Sequence, residues 1–197
     1  FGQVSRIKIQ DMDKQHFGIL QSAVRNKPRL IGTIAVAPGT GIGEVFSELG
    51  IDVVVPGGQT MNPSIKQLLK AIESIESESI ILLPNNKNII LTAQQAAKAS
   101  KKRVEIVPTV SIPQGVASIL GFNLESGLNK NLEQMKNAMA EISTLEITRA
   151  MRSTTINGMN IKKGEYIALL DGQLISTAPG ISELIHDPGS KLTQTGF

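Results

Sequence analysis

Hydrophobic positions in the first part of the chain gather into short runs, each closed by a proline and a small polar loop. Residues 31–38 read Ile-Gly-Thr-Ile-Ala-Val-Ala-Pro and lead into Gly39-Thr40-Gly41; residues 51–56 read Ile-Asp-Val-Val-Val-Pro, 80–84 Ile-Ile-Leu-Leu-Pro and 104–108 Val-Glu-Ile-Val-Pro. Runs rich in β-branched residues that do not alternate with polar ones predict strands covered on both faces. The closing prolines Pro38, Pro56, Pro84 and Pro108 are 18, 28 and 24 residues apart, room for one helix and its turns between strands. The intervening segments carry a helical pattern: residues 41–49, stopped by Gly50; residues 63–77, with Ile65, Leu68, Leu69, Ile72 and Ile75 on one face; and the Ala- and Gln-rich residues 88–101. Strands alternating with helices imply βαβ crossovers, hence an α/β fold with a parallel sheet and helices on both faces.

The two ends have another texture. Residues 4–9 alternate as a half-exposed strand and residues 11–25 follow as a helix capped by Asp11, so 1–25 reads as an entry strand and helix arriving from a preceding domain. His16 on that helix, with no Cys and no second His nearby, is given no role. Beyond residue 122 come a loop, a polar helix over 128–141 and an antiparallel meander: a strand over 144–152, a hairpin at Asn157-Gly158, a strand over 166–170, a second hairpin at Asp171-Gly172 and a strand over 173–176. The expected organisation is 1–25, a parallel α/β domain over 26–122, and a helix-plus-meander subdomain over 123–197, with 187–197 a loop or truncated end.

In a parallel sheet the polar loops all leave the carboxyl edge, where open α/β folds place their ligand crevice. The candidate site is therefore Gly57, Gly58, Gln59, Thr60 and Asn62 in the second loop, Asn85, Asn86, Lys87 and Asn88 in the third, and Thr109, Ser111 and Gln114 in the fourth. Gly57-Gly58 permits close backbone approach to a ligand, and Asn62 before Pro63 reads as a helix cap. Asn88 is a second expected cap, and Lys87 beside a helix start suits a carboxylate or phosphate. The plain alternative for every one of these loops is turn and cap chemistry, for which Asn, Ser and Thr are the usual residues. Gly39-Thr40-Gly41-Ile42-Gly43-Glu44 approaches a dinucleotide fingerprint but has Glu44 where the third glycine belongs, so it reads as a tight turn.

Composition narrows the classes. A formal charge of +3 with scattered basic residues, five Phe, one Tyr and no Trp gives little for binding nucleic acid. No run of about 18 apolar residues is present to span a bilayer and no signal segment opens the chain, so it reads as soluble, without membrane insertion. The absence of cysteine fits a cytoplasmic setting. No nucleophile elbow, Walker loop, metal cluster or magnesium-holding Asp group appears, so the chain reads as not catalytic alone, and no metal-ligating or catalytic residue is assigned. Its opening at Phe1 rather than Met reads as a piece of something longer.

Three segments in order, Gly57-Gly58-Gln59-Thr60-Met61-Asn62-Pro63-Ser64, Leu83-Pro84-Asn85-Asn86-Lys87-Asn88-Ile89-Ile90 and Pro108-Thr109-Val110-Ser111-Ile112-Pro113-Gln114-Gly115, closely resemble the C-terminal domain of bacterial dihydroxyacetone-kinase-like proteins of the YloV type, the catalytic A subunit of fatty acid kinase. The resemblance runs from about Val4 to the Asp171-Gly172 hairpin, whereas Gly189–Phe197 matches nothing in that pattern. It implies a three-part, homodimeric protein whose N-terminal domain binds ATP and magnesium, with no cofactor in this domain. It further implies a DegV-like architecture here and a role in engaging a fatty-acid-binding DegV-like partner, whose acyl chain is phosphorylated for phospholipid synthesis. The alternative functions are a small-molecule site in the same crevice for a fatty acid, carboxylate or phosphate, and a scaffold whose loops serve folding alone.

Overall fold

The computed structural model describes residues 29–58, 62–156 and 158–186. The expected entry strand and helix, Gln59, Thr60 and the segment after residue 186 lie outside them. The chain divides into two compact units, one ending at Glu141 and the other beginning at Ile142.

The first unit is built from β1 (Ile31–Ala37), α1 (Gly39–Glu48), β2 (Val53–Pro56), α2 (Ile65–Ser74), β3 (Ser79–Leu83), α3 (Lys87–Ala99), β4 (Arg103–Ile106), α4 (Ile112–Leu120) and α5 (Leu128–Ala140). Its four strands are parallel in the order β2-β1-β3-β4, with Ile34 beside Val53 on one side and Leu82 on the other. All seven residues of β1 are buried, as the unbroken apolar run predicts for a central strand of a covered sheet.

Alternation along the strands sorts their side chains into two layers. Ile31, Ala35, Ala37, Val54, Ile81 and Leu83 pack with Phe46 of α1, Ile119 of α4 and Leu132 and Met135 of α5. Ile34, Val36, Val55, Ile80 and Leu82 pack with Leu68 and Ile72 of α2 and Ile89, Ala93 and Ala96 of α3. Helices therefore cover both faces, as expected. A fully buried Ile34 or Leu82 contributes about 1.5–3 kcal/mol by leaving water, so these layers dominate the unit's stability. The chain runs from β1 outward to β2, then crosses back past β1 to β3. Right-handed crossovers in opposite directions put α1 and α2 on opposite faces. The switch point of the sheet thus lies between the carboxyl ends of β1 and β3.

Helix starts differ from the sequence expectation at two loops. α2 is capped by Ser64 rather than Asn62: the Ser64 hydroxyl accepts from Gln67 N at 3.3 Å and Gln67 Oε1 accepts from Ser64 N at 2.8 Å. Ser64 has a reciprocating partner three positions on, in Gln67, and the helix starts after it rather than at Pro63. α3 is capped by Asn86, whose Oδ1 accepts from Asn88 N at 2.9 Å, and Asn88 lies inside the helix. The left-handed backbone of Asn85, φ 55°, turns the chain early enough for Asn86 to take the cap.

The amino end of the sheet is closed by a polar cluster that the pattern did not anticipate. Asp52 begins before β2 proper, and its Oδ2 accepts from Thr33 N at 2.8 Å and Thr33 Oγ1 at 3.0 Å, while Oδ1 pairs with Arg29 at 2.9 Å. Lys102 Nζ donates to the last carbonyls of α2 at Ile72, 3.0 Å away, and Ile75, placing a cation at the negative end of that helix.

In the second unit β5 (Leu145–Arg149), β8 (Tyr166–Leu170) and β9 (Gln173–Ala178) form an antiparallel sheet in the order β5-β8-β9, and β6 (Thr154–Ile156) pairs with β7 (Met159–Ile161). Ala168 packs beneath Leu184 of α6 (Ile181–His186), while Leu174 packs with Ile161 and Ala150. Asp171 and Gly172, at φ 49° and 79°, make the tight turn expected of an Asp-Gly pair. Among the described residues, no helix is long and apolar enough to cross a membrane.

Candidate functional site

The four loops meet at the carboxyl edge of the first sheet, as the strand-loop-helix pattern requires. Gly57 N donates to Ala37 O at 3.0 Å, extending the β1–β2 pairing by one step and burying Gly57. Gly58 packs on Pro38: a Cβ there would lie 2.9 Å from the Pro38 Cβ. The double glycine is accordingly used for close packing of one loop on another. Gln59 and Thr60 are outside the described residues, and Asn62 is exposed.

Asn85 occupies the switch point. It is 6% exposed, its Nδ2 donates to Val36 O at 2.9 Å, and its Oδ1 accepts from the Thr109 hydroxyl at 2.7 Å. That same hydroxyl accepts from Asn85 N at 3.0 Å, so one Thr oxygen serves both as donor and acceptor. Gly115 of α4 presses on the amide so closely that a Cβ would sit 2.1 Å from Oδ1. Asn85 thus ties the ends of β1 and β3 to the loop after β4. The place where an open α/β sheet usually admits a ligand is filled by the protein's own amide.

The fourth loop is equally self-contained. Ser111 caps α4, its hydroxyl accepting from Gln114 N at 3.4 Å, while Gln114 Oε1 accepts from Val110 N at 2.9 Å. Thr109 and Ser111 are buried and Gln114 is half-buried. Among the described candidate residues, those that face solvent with polar groups are a subset: Asn62, Lys87 and Asn88, with Asn86 partly exposed beside them. Among the described residues Lys87 forms no ion pair.

The electrostatics of this edge follow from its architecture. α1, α2, α3 and α4 all start here, and none has an acidic residue in its first turn. Each helix start carries a partial positive charge of about half an elementary charge, and an acidic first turn would normally offset it. Residues 38–43, 57–64, 84–90 and 107–114 contain no Asp or Glu, and Lys87 is their sole cation. The edge is positive mainly through its backbone. The strand pattern places these loops at one edge but does not divide locked from exposed residues, because burial of Asn85 depends on Gly115, distant in the chain.

These features define a doubly wound α/β domain with a closed switch point and an acid-free carboxyl edge, followed by an antiparallel unit. The chain belongs to the FakA-like C-terminal family, the C-terminal part of the A-like subunits of fatty acid kinase, which matches residues 32–196 and so extends through the segment after Gly189, correcting the expectation that this segment falls outside the pattern. It is similar to Protein YloV of Bacillus subtilis, 35% identical over 187 residues covering 90% of this chain and 34% of that protein. It is also similar to an uncharacterized protein of Staphylococcus epidermidis, 34% identical over 90% of this chain and 34% of the relative, and to one of Staphylococcus aureus USA300, 32% identical over 90% and 33%. The chain thus spans about a third of the length of the curated relatives it matches.

Proposed function

We propose that this chain is the partner-recognition domain of the kinase component of a fatty acid kinase, with the carboxyl edge of the first sheet meeting an anionic face of a DegV-like, acyl-carrying partner. In the full-length, homodimeric, cytoplasmic protein, ATP and magnesium belong to a separate domain, which transfers the phosphoryl group to the bound fatty acid for phospholipid synthesis. In this reading Lys87, Asn88 and Asn62 contact the partner, and Asn85, Thr109, Ser111 and Gln114 hold them in place.

The observation that carries the reading is the division of the edge. Its buried polar residues are bonded to one another, while its exposed face combines four uncompensated helix starts with Lys87 and exposed amides. A surface of this kind suits docking. The alternative of a small fatty acid, carboxylate or phosphate site in the crevice is disfavoured by Asn85 in the switch point and Pro38 against Gly58.

Calorimetric titration of the chain against an acyl-loaded partner protein tests this. Lys87→Glu should weaken binding about tenfold or more, since reversal both removes an attraction and adds a repulsion, with stability unchanged or raised by up to about 1 kcal/mol because the new carboxylate sits in the first turn of α3. Unchanged affinity in a folded Lys87→Glu, Asn88→Ala double variant removes the carboxyl edge from the interface.

A further inference from the structure

A second charged region lies in the antiparallel unit, independent of the edge described above. Arg149, Arg152, Lys162 and Lys163 are all exposed, and none forms an ion pair among the described residues. The backbone gathers them at one corner. Ala150 N donates to Glu165 O at 2.8 Å, Gly164 N donates to Ala150 O at 2.8 Å, and Lys163 N donates to Ser153 Oγ at 3.0 Å. The segment 149–153 therefore runs beside the turn 162–165. Arg149 lies over the Tyr166 ring with 4.7 Å from its guanidinium carbon to the centroid, at the same end of the sheet.

Acidic groups at this end are engaged locally. Glu165 is the only carboxylate between residues 149 and 165, and its Oε2 accepts from Lys162 N at 2.8 Å and the Thr177 hydroxyl at 3.3 Å. Glu183 Oε2 accepts from Gly180 N at 3.0 Å at the start of α6. Between Arg149 and Arg152 the chain exposes Met151 to 84%, the largest exposure of any large apolar side chain among the described residues of this unit, and Ile156 stands 42% exposed in β6.

We propose that this corner is a peripheral docking surface for an anionic lipid bilayer, the four cations meeting headgroup phosphates while Met151 enters the headgroup layer. A protein interface of ordinary size buries about 800 Å² per partner around a desolvated apolar centre. An exposed Met151 flanked in sequence by Arg149 and Arg152, with Ile156 only partly exposed, supplies no such centre and matches the mixed basic and apolar footprint of interfacial binding. Near an anionic leaflet each Lys or Arg raises partitioning by about fivefold, and the attraction fades over a Debye length, so attachment here is reversible and salt-sensitive.

Flotation of the purified chain with phosphatidylglycerol-containing vesicles, beside vesicles of phosphatidylcholine alone, tests the assignment. Binding is expected only to the anionic vesicles, falling at least tenfold between 50 mM and 300 mM salt. Lys162→Gln with Lys163→Gln retains the backbone bonds of the turn and should lower partitioning about 25-fold, Arg152→Gln about fivefold; Met151→Asp should weaken it further while Met151→Leu retains it. Failure of the wild-type chain to float at low salt, or equal flotation of the Gln variants, overturns the proposal. So does binding of this corner to an acidic protein partner without vesicle binding. Because the Lys87 titration probes the other unit, the two readings succeed or fail separately.

Discussion

Replacing Gly115 with alanine separates the reading of the switch point from the ordinary rules of helices. Gly115 lies in α4, where alanine is favoured over glycine by about 1 kcal/mol on helix propensity alone. The structure predicts the opposite sign. A Cβ at this position would sit 2.1 Å from Asn85 Oδ1, and Asn85 cannot swing aside cheaply because its amide is bonded to Val36 O at 2.9 Å and to the Thr109 hydroxyl at 2.7 Å. Displacing it leaves two buried groups short of a partner, at about 1–3 kcal/mol each. Offsetting the propensity gain leaves a net destabilisation of about 1–5 kcal/mol. Guanidinium unfolding followed by circular dichroism measures it, read on the transition of the first unit since the two units need not unfold together. A companion variant sharpens the test: with Asn85→Gly already present the obstruction is gone, so Gly115→Ala should become neutral or stabilising by up to about 1 kcal/mol. If Gly115→Ala alone is as stable as the parent, the account of Asn85 as a fixed plug is wrong.

Three further outcomes follow from single side chains. Ser64→Ala should lower stability by about 0.5–1 kcal/mol through loss of the α2 cap, whereas Asn62→Ala should leave the unfolding midpoint unchanged. Asp52→Ala should cost about 2–3 kcal/mol in chemical denaturation, because it strips the carboxylate from the N–H of fully buried Thr33 and from Arg29. Asn131→Ala should cost about 2–4 kcal/mol and raise amide exchange across residues 123–126: the fully buried Asn131 amide accepts from Asn123 N at 2.7 Å and donates to Asn123 O at 2.9 Å and Ser126 O at 3.0 Å.

The parallel sheet was legible because its strands are β-branched runs closed by Pro38, Pro56, Pro84 and Pro108, and their spacing leaves room for one crossover each. The turn at Asp171-Gly172 was legible for a local reason as well, since both residues tolerate positive φ. Capping was misread where a loop offered several candidates. Asn62 and Asn88 look as suitable as Ser64 and Asn86 until one knows that Gln67 reaches back and that Asn85 turns the chain. The candidate site was legible as a set of loops, but not as a sorted one. Whether an asparagine is a buried tie or a free donor depends on residues such as Thr109 and Gly115 that pattern alone does not bring near it. The Arg29, Thr33 and Asp52 cluster escaped for the same reason, and the basic corner because Arg149 and Lys163 are distant in sequence and adjacent only through backbone pairing.

The tie made by Asn85 also has a kinetic consequence. It joins the ends of β1 and β3 to the loop after β4, so these segments cannot loosen one at a time without stranding a buried polar group. The Asn85 and Thr109 amides should therefore exchange with deuterium only in the slowest class, together with the central strands. Under the proposed docking role, a partner would meet Lys87 and Asn88 on a loop ordered beforehand, with little conformational entropy left there to be lost on contact. Differences in affinity among variants of its exposed residues should then appear chiefly as differences in residence time.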